Sequence, residues 1–428
     1  GAMVLDPVAK RLYIGTGEGN SGGRMQHGQG LLIYDTQNKV FKPRVTAIPS
    51  PVAGDPTVVT RYKMLRTSAM LLEPATPGNP QRLWMGTTNG LFYSIDAGQN
   101  WLTSSLNTAA NQIVSSLALV QDAGGQQVLA AWWGTNDTYD NGAGGTVTVR
   151  YNGGVFRKKA DQTFDALPRD TEPSNKLPNK PVGRVGMAVA PSNAQCLYVL
   201  MASNGPDDFF GLYRSDDGGQ TWSKRQLPGD SSRKLKQSNY NLTLAVHPTT
   251  PDTLIIGEKA LWRSTDGGNS WTCISAPHGD SAGTHSDQHV VVYDPAHADR
   301  VWLGNDGGIW LSQDGGTTWL HRNRGLNTLQ YYAMVHHASA ESVLLAGAQD
   351  NGTQRFAGHA GWNLVGYGDG FFCGIDAQDP RYWYSSYCYR NASGDLSGIK
   401  RSDVAGAITS WSNVTDGMDG AEYASQGD

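Results

Sequence analysis

Short apolar runs alternate with turn residues along most of the chain. The phrases "AMLLEPATPGNPQRLWMG", "LTLAVHPTTPDTLIIG" and "VVVYDPAHADRVWLG" each contain an apolar segment, a proline-bearing turn and a second apolar segment that ends in glycine. Apolar runs of this length, bounded by Pro and Gly, predict β-strands joined by tight turns. Together with five looser copies, the phrase indicates eight repeated units.

A second phrase, Ser-x-Asp-x-Gly-x-x-Trp, follows the first in four of these units. The octets begin at Ser94, Ser215, Ser264 and Ser312. The last three are spaced by about 50 residues, the length of a four-stranded unit. The longer first interval predicts two units plus an insertion, with "TVTVRYNGGVF" as a degenerate octet that lacks the aspartate.

Repeated four-stranded units of this length predict an all-β fold, a β-propeller of antiparallel blades. In each unit the proline turn would join strands A and B, and the octet would form the turn between strands C and D. We expect residues 1–428 to form a single propeller domain of eight blades, with seven blades plus an extra element, or a fragment of a larger ring, as the alternatives. The opening "GAM" is typical of a cloning scar, which suits a domain cut from a longer protein.

Composition excludes several classes of function. The 53 glycines, 13 tryptophans and only 17% charged residues fit many short strands and tight turns. A net charge of −4 offers no general attraction to nucleic acid. No apolar stretch approaches the roughly 18 residues of a membrane span. Cys373 and Cys388 are expected on neighbouring strands, where a disulfide would suit an oxidising compartment, and we expect a secreted or periplasmic protein.

The octet resembles the Asp-box, also called the bacterial neuraminidase repeat. Similar boxes occur in sialidases, in glycoside hydrolase family 74, in sortilin-type receptors and in a photosystem assembly factor. The resemblance is clear from about residue 70 to about residue 320, across the repeats defined above. It implies the propeller fold and leaves the activity open.

The octet aspartates have a plain structural explanation. Each could accept hydrogen bonds from the amides of its own turn while the following glycine takes a positive φ. These aspartates are Asp96, Asp217, Asp266 and Asp314. If the A–B and C–D turns share one face of the disc, the D–A and B–C loops lie on the other, where propellers usually bind ligands. We therefore interpret the octets as structural.

The loops of the opposite face contain the candidate chemistry. "GTHSDQHVVV", "GNDGGIW", "GAQDNGTQRF" and "GYGDGFFCG" would bring several acids and histidines to one sector. Closely spaced carboxylates can divide the acid and base roles of glycoside hydrolysis. We select Asp306 and Asp350 as the catalytic pair, with Asp369 as a third candidate. The alternative is that each Asp-Gly pair only caps its own turn.

Two further groups could contact a ligand. At the start of a strand, alternate residues share a face, so His285, Asp287 and His289 could bind a transition metal or calcium. A hydrogen-bonded cluster without metal is the alternative, and no cofactor is required. Candidate sugar-binding residues are Trp132, Trp133 and Tyr139 in "AWWGTNDTYDNGAGG", and Glu18 in "GTGEGNSGG".

Two function hypotheses follow. A sialidase is disfavoured because the Arg-Ile-Pro phrase that precedes its catalytic site is absent from the sequence. "GNDGGIW" is similar to the Asp-Gly-Gly loops of family 74, which implies a hydrolase acting on a polysaccharide, although those enzymes pair two propellers. The alternative is a non-catalytic module, similar to sortilin, that captures a peptide or protein partner.

Overall fold

The computed structural model describes most of the chain. The described residues are 1–17, 28–43, 45, 47–49, 59–61, 66–106, 113–133, 136–140, 146–150, 153–170, 175–179, 182–203, 209–229, 237–238, 240–275, 283–358, 361–387 and 398–414. Within these ranges there are eight four-stranded sheets, three two-stranded sheets and no helix. Accordingly, the described residues contain no helix that is long and apolar enough to cross a membrane.

Strands β1 to β22 form the first four of the four-stranded sheets and the three two-stranded sheets. The first two sheets, with a two-stranded sheet between them, are β1 (Ala2–Asp6), β2 (Arg11–Gly15), β3 (Leu31–Asp35), β4 (Val40–Phe41), β5 (Ala47–Pro49), β6 (Val59–Arg61), β7 (Thr67–Glu73), β8 (Arg82–Thr87), β9 (Gly90–Ser94) and β10 (Leu102–Thr103). The next strands are β11 (Ile113–Asp122), β12 (Gly125–Trp133), β13 (Asn136–Asp140), β14 (Thr146–Arg150), β15 (Gly154–Lys158), β16 (Phe164–Ala166), β17 (Arg169–Asp170), β18 (Leu177–Pro178), β19 (Val182–Ala190), β20 (Asn193–Ser203), β21 (Phe209–Ser215) and β22 (Ser223–Arg225).

The remaining four sheets follow in chain order. Their strands are β23 (Thr243–Val246), β24 (Leu254–Gly257), β25 (Leu261–Ser264), β26 (Thr272–Cys273), β27 (Gln288–Asp294), β28 (His297–Asn305), β29 (Gly308–Ser312), β30 (Leu320–His321), β31 (Tyr331–His337), β32 (Ala340–Ala348), β33 (Gly352–Ala357), β34 (Trp362–Gly366), β35 (Cys373–Ile375), β36 (Trp383–Ser386), β37 (Ile399–Ser402) and β38 (Ser412–Asn413). In each four-stranded sheet, successive strands are neighbours, apart from the β13–β14 hairpin inserted in the third.

The chain divides into two compact units. The first contains Gly1–Pro277, Ser286–Gly304 and Leu311–Leu320, and the second contains His278–His285, Asn305–Trp310 and His321–Asp428. The expectation of a single domain over residues 1–428 stays a prediction.

Within the first unit, the opening strands of consecutive sheets pack on one another. The contacts run from β1 to β7, then to β11, β19, β23 and β27. Such packing of first strand against first strand is typical of sheets arranged radially. The chain is therefore an all-β protein of the β-propeller class with four-stranded antiparallel blades, as predicted. The blade count of eight stays a prediction.

Strand β20 shows why the sequence contains continuous apolar runs. From Cys196 to Ala202 every residue is buried, because both faces of the strand are covered. Leu197, Val199 and Met201 pack in one hydrophobic cluster, whereas the alternate residues belong to another. A strand covered on both faces loses the apolar–polar alternation of a half-exposed strand.

Residues near the start of the first strand of a sheet also connect neighbouring sheets. The pairing register shifts near the start of β7, β11 and β19, a sign of β-bulges. From these irregular positions, Ser68 Oγ donates to Val114 O, and Ser115 Oγ donates to Val185 O at 3.2 Å. These two bonds thus connect the first strands of the second, third and fourth sheets.

The four octets form turns with one shared hydrogen-bond pattern. In each, the serine Oγ accepts the amide of the glycine four residues later, at 2.7 or 2.8 Å. The aspartate Oδ1 accepts the serine hydroxyl and the amides three and four residues further on. The predicted positive φ is present at Gly98, Gly219, Gly268 and Gly316. These turns contain the hydrogen bonds that the spacing predicts.

The octet tryptophans anchor these turns. Trp101 and Trp222 are buried. Trp271 Nε1 donates to Gln226 O, and Trp319 Nε1 donates to Ile274 O, both at 3.0 Å and both just beyond the last strand of the preceding sheet. Each of these two bonds joins an octet hairpin to its neighbour.

Two details differ from the sequence-based expectations. The phrase "TVTVRYNGGVF" contains β14 and the first three residues of β15, the third strand of its sheet, so it is not a C–D turn. That prediction failed because the inserted hairpin shifted the repeat. Cys373 is a free thiol, and Cys388 lies outside the described residues. Burial raises the pKa of the Cys373 thiol to about 12.

Candidate functional site

The loop that contains Asp306 is held by two asparagines. Asn305 Oδ1 accepts the Gly307 amide at 3.1 Å and the Trp310 indole N–H at 3.0 Å. Asn323 Nδ2 donates to Gly307 O, and its Oδ1 accepts the Ile309 amide, both at 2.7 Å. The turn between β28 and β29 is therefore capped by its neighbours.

His285 connects this loop to that of Asp350. Asn305 Nδ2 donates to the carbonyl oxygen of His285 at 2.9 Å. The His285 Nε2 atom lies 2.5 Å from the carbonyl oxygen of Asp350. A carbonyl oxygen only accepts hydrogen bonds, so Nε2 must be the protonated nitrogen. In this hydrogen bond, His285 Nε2 therefore donates and the Asp350 carbonyl oxygen accepts.

Asp350 has an unusual backbone conformation that neighbouring side chains stabilise. Its φ is 55°, in the left-handed region that few residues other than glycine adopt. Its amide donates to Asp369 Oδ1 at 2.8 Å, and its carbonyl accepts from His285. The backbone N–H and C=O groups of Asp350 are thus both bonded to side chains from other loops. A strained residue held in this way supports a hypothesis of function.

Asn351 joins the two aspartate loops. Its Nδ2 donates to Asp306 O at 3.1 Å and to Gln349 O at 3.0 Å. The structure thus brings Asp306, Asp350, Asp369 and His285 into one cluster of the second unit. All four side chains are half-buried.

Asp287 and His289 belong to the first unit, where each contacts its own partner. Asp287 Oδ1 accepts Asn241 Nδ2 at 2.5 Å, and the His289 ring meets the Tyr240 ring edge-on at 4.9 Å. Strand β27 begins only at Gln288, and Asp287 has a φ of 63°. The two-residue alternation that predicted a shared face for His285, Asp287 and His289 therefore does not apply. Among the described residues, no group of three or more His, Cys, Asp and Glu could hold a metal ion.

Of the predicted sugar-binding residues, Trp132, Trp133 and Tyr139 belong to the first unit. Trp132 is 7% exposed and packs in a hydrophobic cluster beside Phe156, so its ring has no face open to a sugar. The prediction for Trp132 is wrong because a neighbouring sheet covers that side of β12. Trp133 is the last residue of β12, and Tyr139 lies in β13. Glu18 lies outside the described residues.

Two stacked aromatic residues of the second unit were not predicted from the sequence. Tyr332 and Phe371 stack with ring centroids 4.7 Å apart and an interplanar angle of 11°. The exposed positions of β31 alternate, beginning at Tyr332. The exposure of Tyr332 follows only from the structure, and "GFF" directly after Asp369 is the sequence signal that could have identified Phe371.

Comparisons with known proteins point to xyloglucan-degrading enzymes over part of the chain. No protein-family model matches. A "Xyloglucanase" of Hypocrea jecorina is 27% identical over 195 residues, which cover 39% of this chain and 23% of that protein. A "Probable oligoxyloglucan-reducing end-specific xyloglucanase" of Neosartorya fischeri is 25% identical over 142 residues, which cover 32% of this chain and 17% of that protein. The matched segments thus span about a fifth of the length of these curated relatives.

Among solved structures, the extracellular domain of a hybrid two-component system of B. thetaiotaomicron is similar over 96% of this chain and 45% of that chain. The sequence identity is 14% and the TM-score is 0.44. At this level, the likeness says nothing about function.

Proposed function

We propose that the chain is a glycoside hydrolase-like propeller that cleaves a polysaccharide, with Asp306 and Asp350 as the acid and base. The observation that carries the proposal is the Asn351 bridge, which joins the backbone of Asp306 to the loop of Asp350. The partial similarity to two xyloglucanases supports xyloglucan as the first substrate to test. Such a substrate also supports a secreted or periplasmic location.

The chemistry requires two carboxyl groups on opposite sides of a glycosidic bond. One carboxylic acid donates its proton to the leaving oxygen as the bond from that oxygen to the anomeric carbon breaks. The other carboxylate either removes a proton from the attacking water or attacks the anomeric carbon itself. Asp306 and Asp350 fill these two roles in the proposal.

Asp369 and His285 are positioning residues in this scheme. They bond the amide and the carbonyl of Asp350, so they hold its backbone in the left-handed conformation. A backbone held on both sides directs the side chain without a cost in reorganisation at the moment of reaction. We therefore assign Asp369 to the support of Asp350 rather than to proton transfer.

The first experiment is an assay of reducing ends released from xyloglucan, xylan, β-glucan and bacterial polysaccharides. We expect Asp306→Asn and Asp350→Asn each to lower the rate by about 100-fold or more, as for the loss of a general acid or base. Asp314→Asn is the matched control, because Asp314 also precedes Gly-Gly but belongs to an octet turn. Full activity in both site variants would contradict the proposal.

A non-catalytic binding module is the second candidate. One oxygen of Asp369 and the Nε2 atom of His285 are engaged in bonds to the backbone, an arrangement that also suits a purely structural cluster. In that case the wild-type protein would be folded and would release no sugar from any polymer. A peptide or protein partner would then be the ligand to seek.

A further inference from the structure

The Tyr332–Phe371 pair is a flat aromatic surface in the second unit. The rings are nearly parallel, and Tyr332 is 44% exposed. Phe371 covers one face of the tyrosine ring, so the exposed area of Tyr332 belongs to its other face and its edges. We name this pair the aromatic platform.

Hydrogen bonds fix the tyrosine of the aromatic platform. The Tyr332 hydroxyl donates to Gln349 Oε1 at 3.0 Å, and the backbone N–H of Gln349 donates to the backbone oxygen of Gln330 at 2.9 Å. The polar end of Tyr332 is therefore already bonded within the protein. What the residue offers to a ligand is its apolar ring.

Backbone contacts fix the phenylalanine as well. The Phe371 amide donates to Ser386 O at 3.0 Å, and the Gly370 amide donates to Ala348 O at 2.9 Å. A Cβ atom at Gly347 would lie 2.1 Å from Phe371 O, so only glycine allows the segment to approach β32 this closely. The aromatic platform is thus set before any ligand arrives.

The aromatic platform is linked to the carboxylate cluster through one hydrogen bond and through the chain. Gln349, which holds the Tyr332 hydroxyl, directly precedes Asp350. Phe371 follows two residues after Asp369, whose Oδ1 accepts the Asp350 amide. Each ring of the platform is therefore attached to a segment that contains one of the two aspartates, Asp350 or Asp369.

We propose that the aromatic platform binds a pyranose ring of the substrate beside Asp350. The proposal rests on the function proposed above and adds a sugar-binding subsite to it. The axial C–H groups of a β-linked glucose unit form an apolar face that matches an exposed aromatic ring. Pockets that orient a ligand commonly combine such apolar surface with a few fixed polar groups. The subsite would favour a neutral glycan chain.

The test measures binding separately from hydrolysis. Isothermal titration uses xyloglucan oligosaccharides with Asp306→Asn protein, which keeps the ligand intact. In that background we expect Tyr332→Ala to weaken binding about tenfold, the order of effect of losing an aromatic contact. Tyr332→Phe keeps the ring and loses only the Gln349 bond, so its affinity should stay within about threefold of the parent.

Phe41→Ala is the matched control. Phe41 is also exposed and lies 5.0 Å from a tyrosine ring, that of Tyr34, but it belongs to β4 in the first unit. Its loss should leave the affinity unchanged. Near-ultraviolet circular dichroism of each variant verifies that the fold is retained, and Tyr332→Leu replaces Tyr332→Ala if the alanine variant fails to fold.

The outcomes separate this proposal from the proposed function. Release of sugar by the wild type, with equal affinity in the parent and the Tyr332→Ala variant, would overturn the platform and leave the hydrolase intact. Binding that depends on Tyr332 without any release would support the platform and overturn the hydrolase. No binding of any glycan by the parent, or binding of peptides instead, would overturn the platform.

Discussion

Asp306 and Asp314 both precede Gly-Gly, yet their turns are held in different ways. Asp314 Oδ1 accepts the Ser312 hydroxyl and the amides of Thr317 and Thr318, so this aspartate caps its own turn. In the turn of Asp306, the neighbouring Asn305 accepts the Gly307 amide. The same tripeptide, Asp-Gly-Gly, therefore occurs in two different hydrogen-bond arrangements.

The pKa of the octet aspartates makes them unsuited to acid catalysis. Hydrogen bonds from the Thr318 side chain and amide lower the pKa of Asp314 to about 2. The pKa of Asp266 is lowered as well, mainly by the side chain and amide of Ser270. Such a carboxylate stays ionised at neutral pH and has no proton to donate.

The comparison teaches which sequence context separates the two arrangements. An octet aspartate has a serine two residues before it and a tryptophan five residues after it, and both are parts of the turn. The site loop has neither, and its asparagines come from β28 and from the segment after β30. Asp-Gly-Gly alone therefore does not separate an octet turn from the loop of Asp306, whereas the residues around it do.

The largest effect on stability is expected from Asp217→Ala. Asp217 accepts the Ser215 hydroxyl, the Gln220 amide and both the amide and hydroxyl of Thr221. Removal of this charged acceptor should lower the free energy of unfolding by about 2–3 kcal/mol at pH 7. Urea unfolding of wild type and variant measures the difference, with Asp306→Ala as the control expected to change it less.

The pH dependence sharpens this prediction. Burial opposes the shift, but the bonds from Thr221 and Ser215 lower the pKa of Asp217 in the folded protein. The contribution is therefore present above the unfolded value of about 3.9 and is lost as the pH falls through the lower folded value. The gap between wild type and Asp217→Ala should narrow in acid. A gap that is equally wide at pH 7 and at pH 2 would contradict this explanation.

A smaller effect, on activity, is expected from Asp369→Ala. This variant lacks the Asp369 oxygen that accepts the Asp350 amide, so the left-handed backbone of Asp350 is held only by His285. We expect kcat in the reducing-end assay to fall about tenfold with little change in KM, as for lost positioning. Asp369→Asn keeps an oxygen acceptor and should retain most of the activity.

The control for this comparison is Asp376→Ala. Asp376 caps its own turn through the amides of Gln378 and Asp379 and lies outside the site. Its loss should leave kcat unchanged. Equal losses in Asp369→Ala and Asp369→Asn would show that the charge of Asp369 takes part in the chemistry, against the positioning role.

Local features of the fold could be predicted from the sequence, whereas the links between loops could not. Strand and turn positions follow from neighbouring residues, which is why the octet bonds of Asp217 match the expectation. The bond from His285 to Asp350 joins residues 65 positions apart. Burial of Trp132 depends on a neighbouring sheet. A pattern read along one strand contains neither kind of information.

One octet-like turn was not predicted, because Val404 and Thr409 stand where the octets have aspartate and tryptophan. Ser402 Oγ accepts the Gly406 amide at 3.0 Å, the same bond as in the octets. Ala405 and Gly406 have φ values of 52° and 70°, as Ala97 and Gly98 have 59° and 82°. Val404, 58% exposed, occupies the position of the aspartate. The Ser-to-Gly spacing alone could have identified this turn between β37 and β38.

The smallest effect on stability is expected from Val404→Asp, which tests the comparison by placing an aspartate at the position that it occupies in the octets. An aspartate here would be placed to accept the amides of Ala407 and Ile408, three and four residues on. We expect a gain of about 1 kcal/mol in the free energy of unfolding at pH 7, the usual net contribution of such bonds. Val404→Ala removes the exposed valine without adding an acceptor, so it separates that change from the new hydrogen bonds. Equal urea midpoints for the two variants would mean that the turn is set by serine and glycine alone, and that the octet aspartate stabilises only turns that also keep the tryptophan spacing.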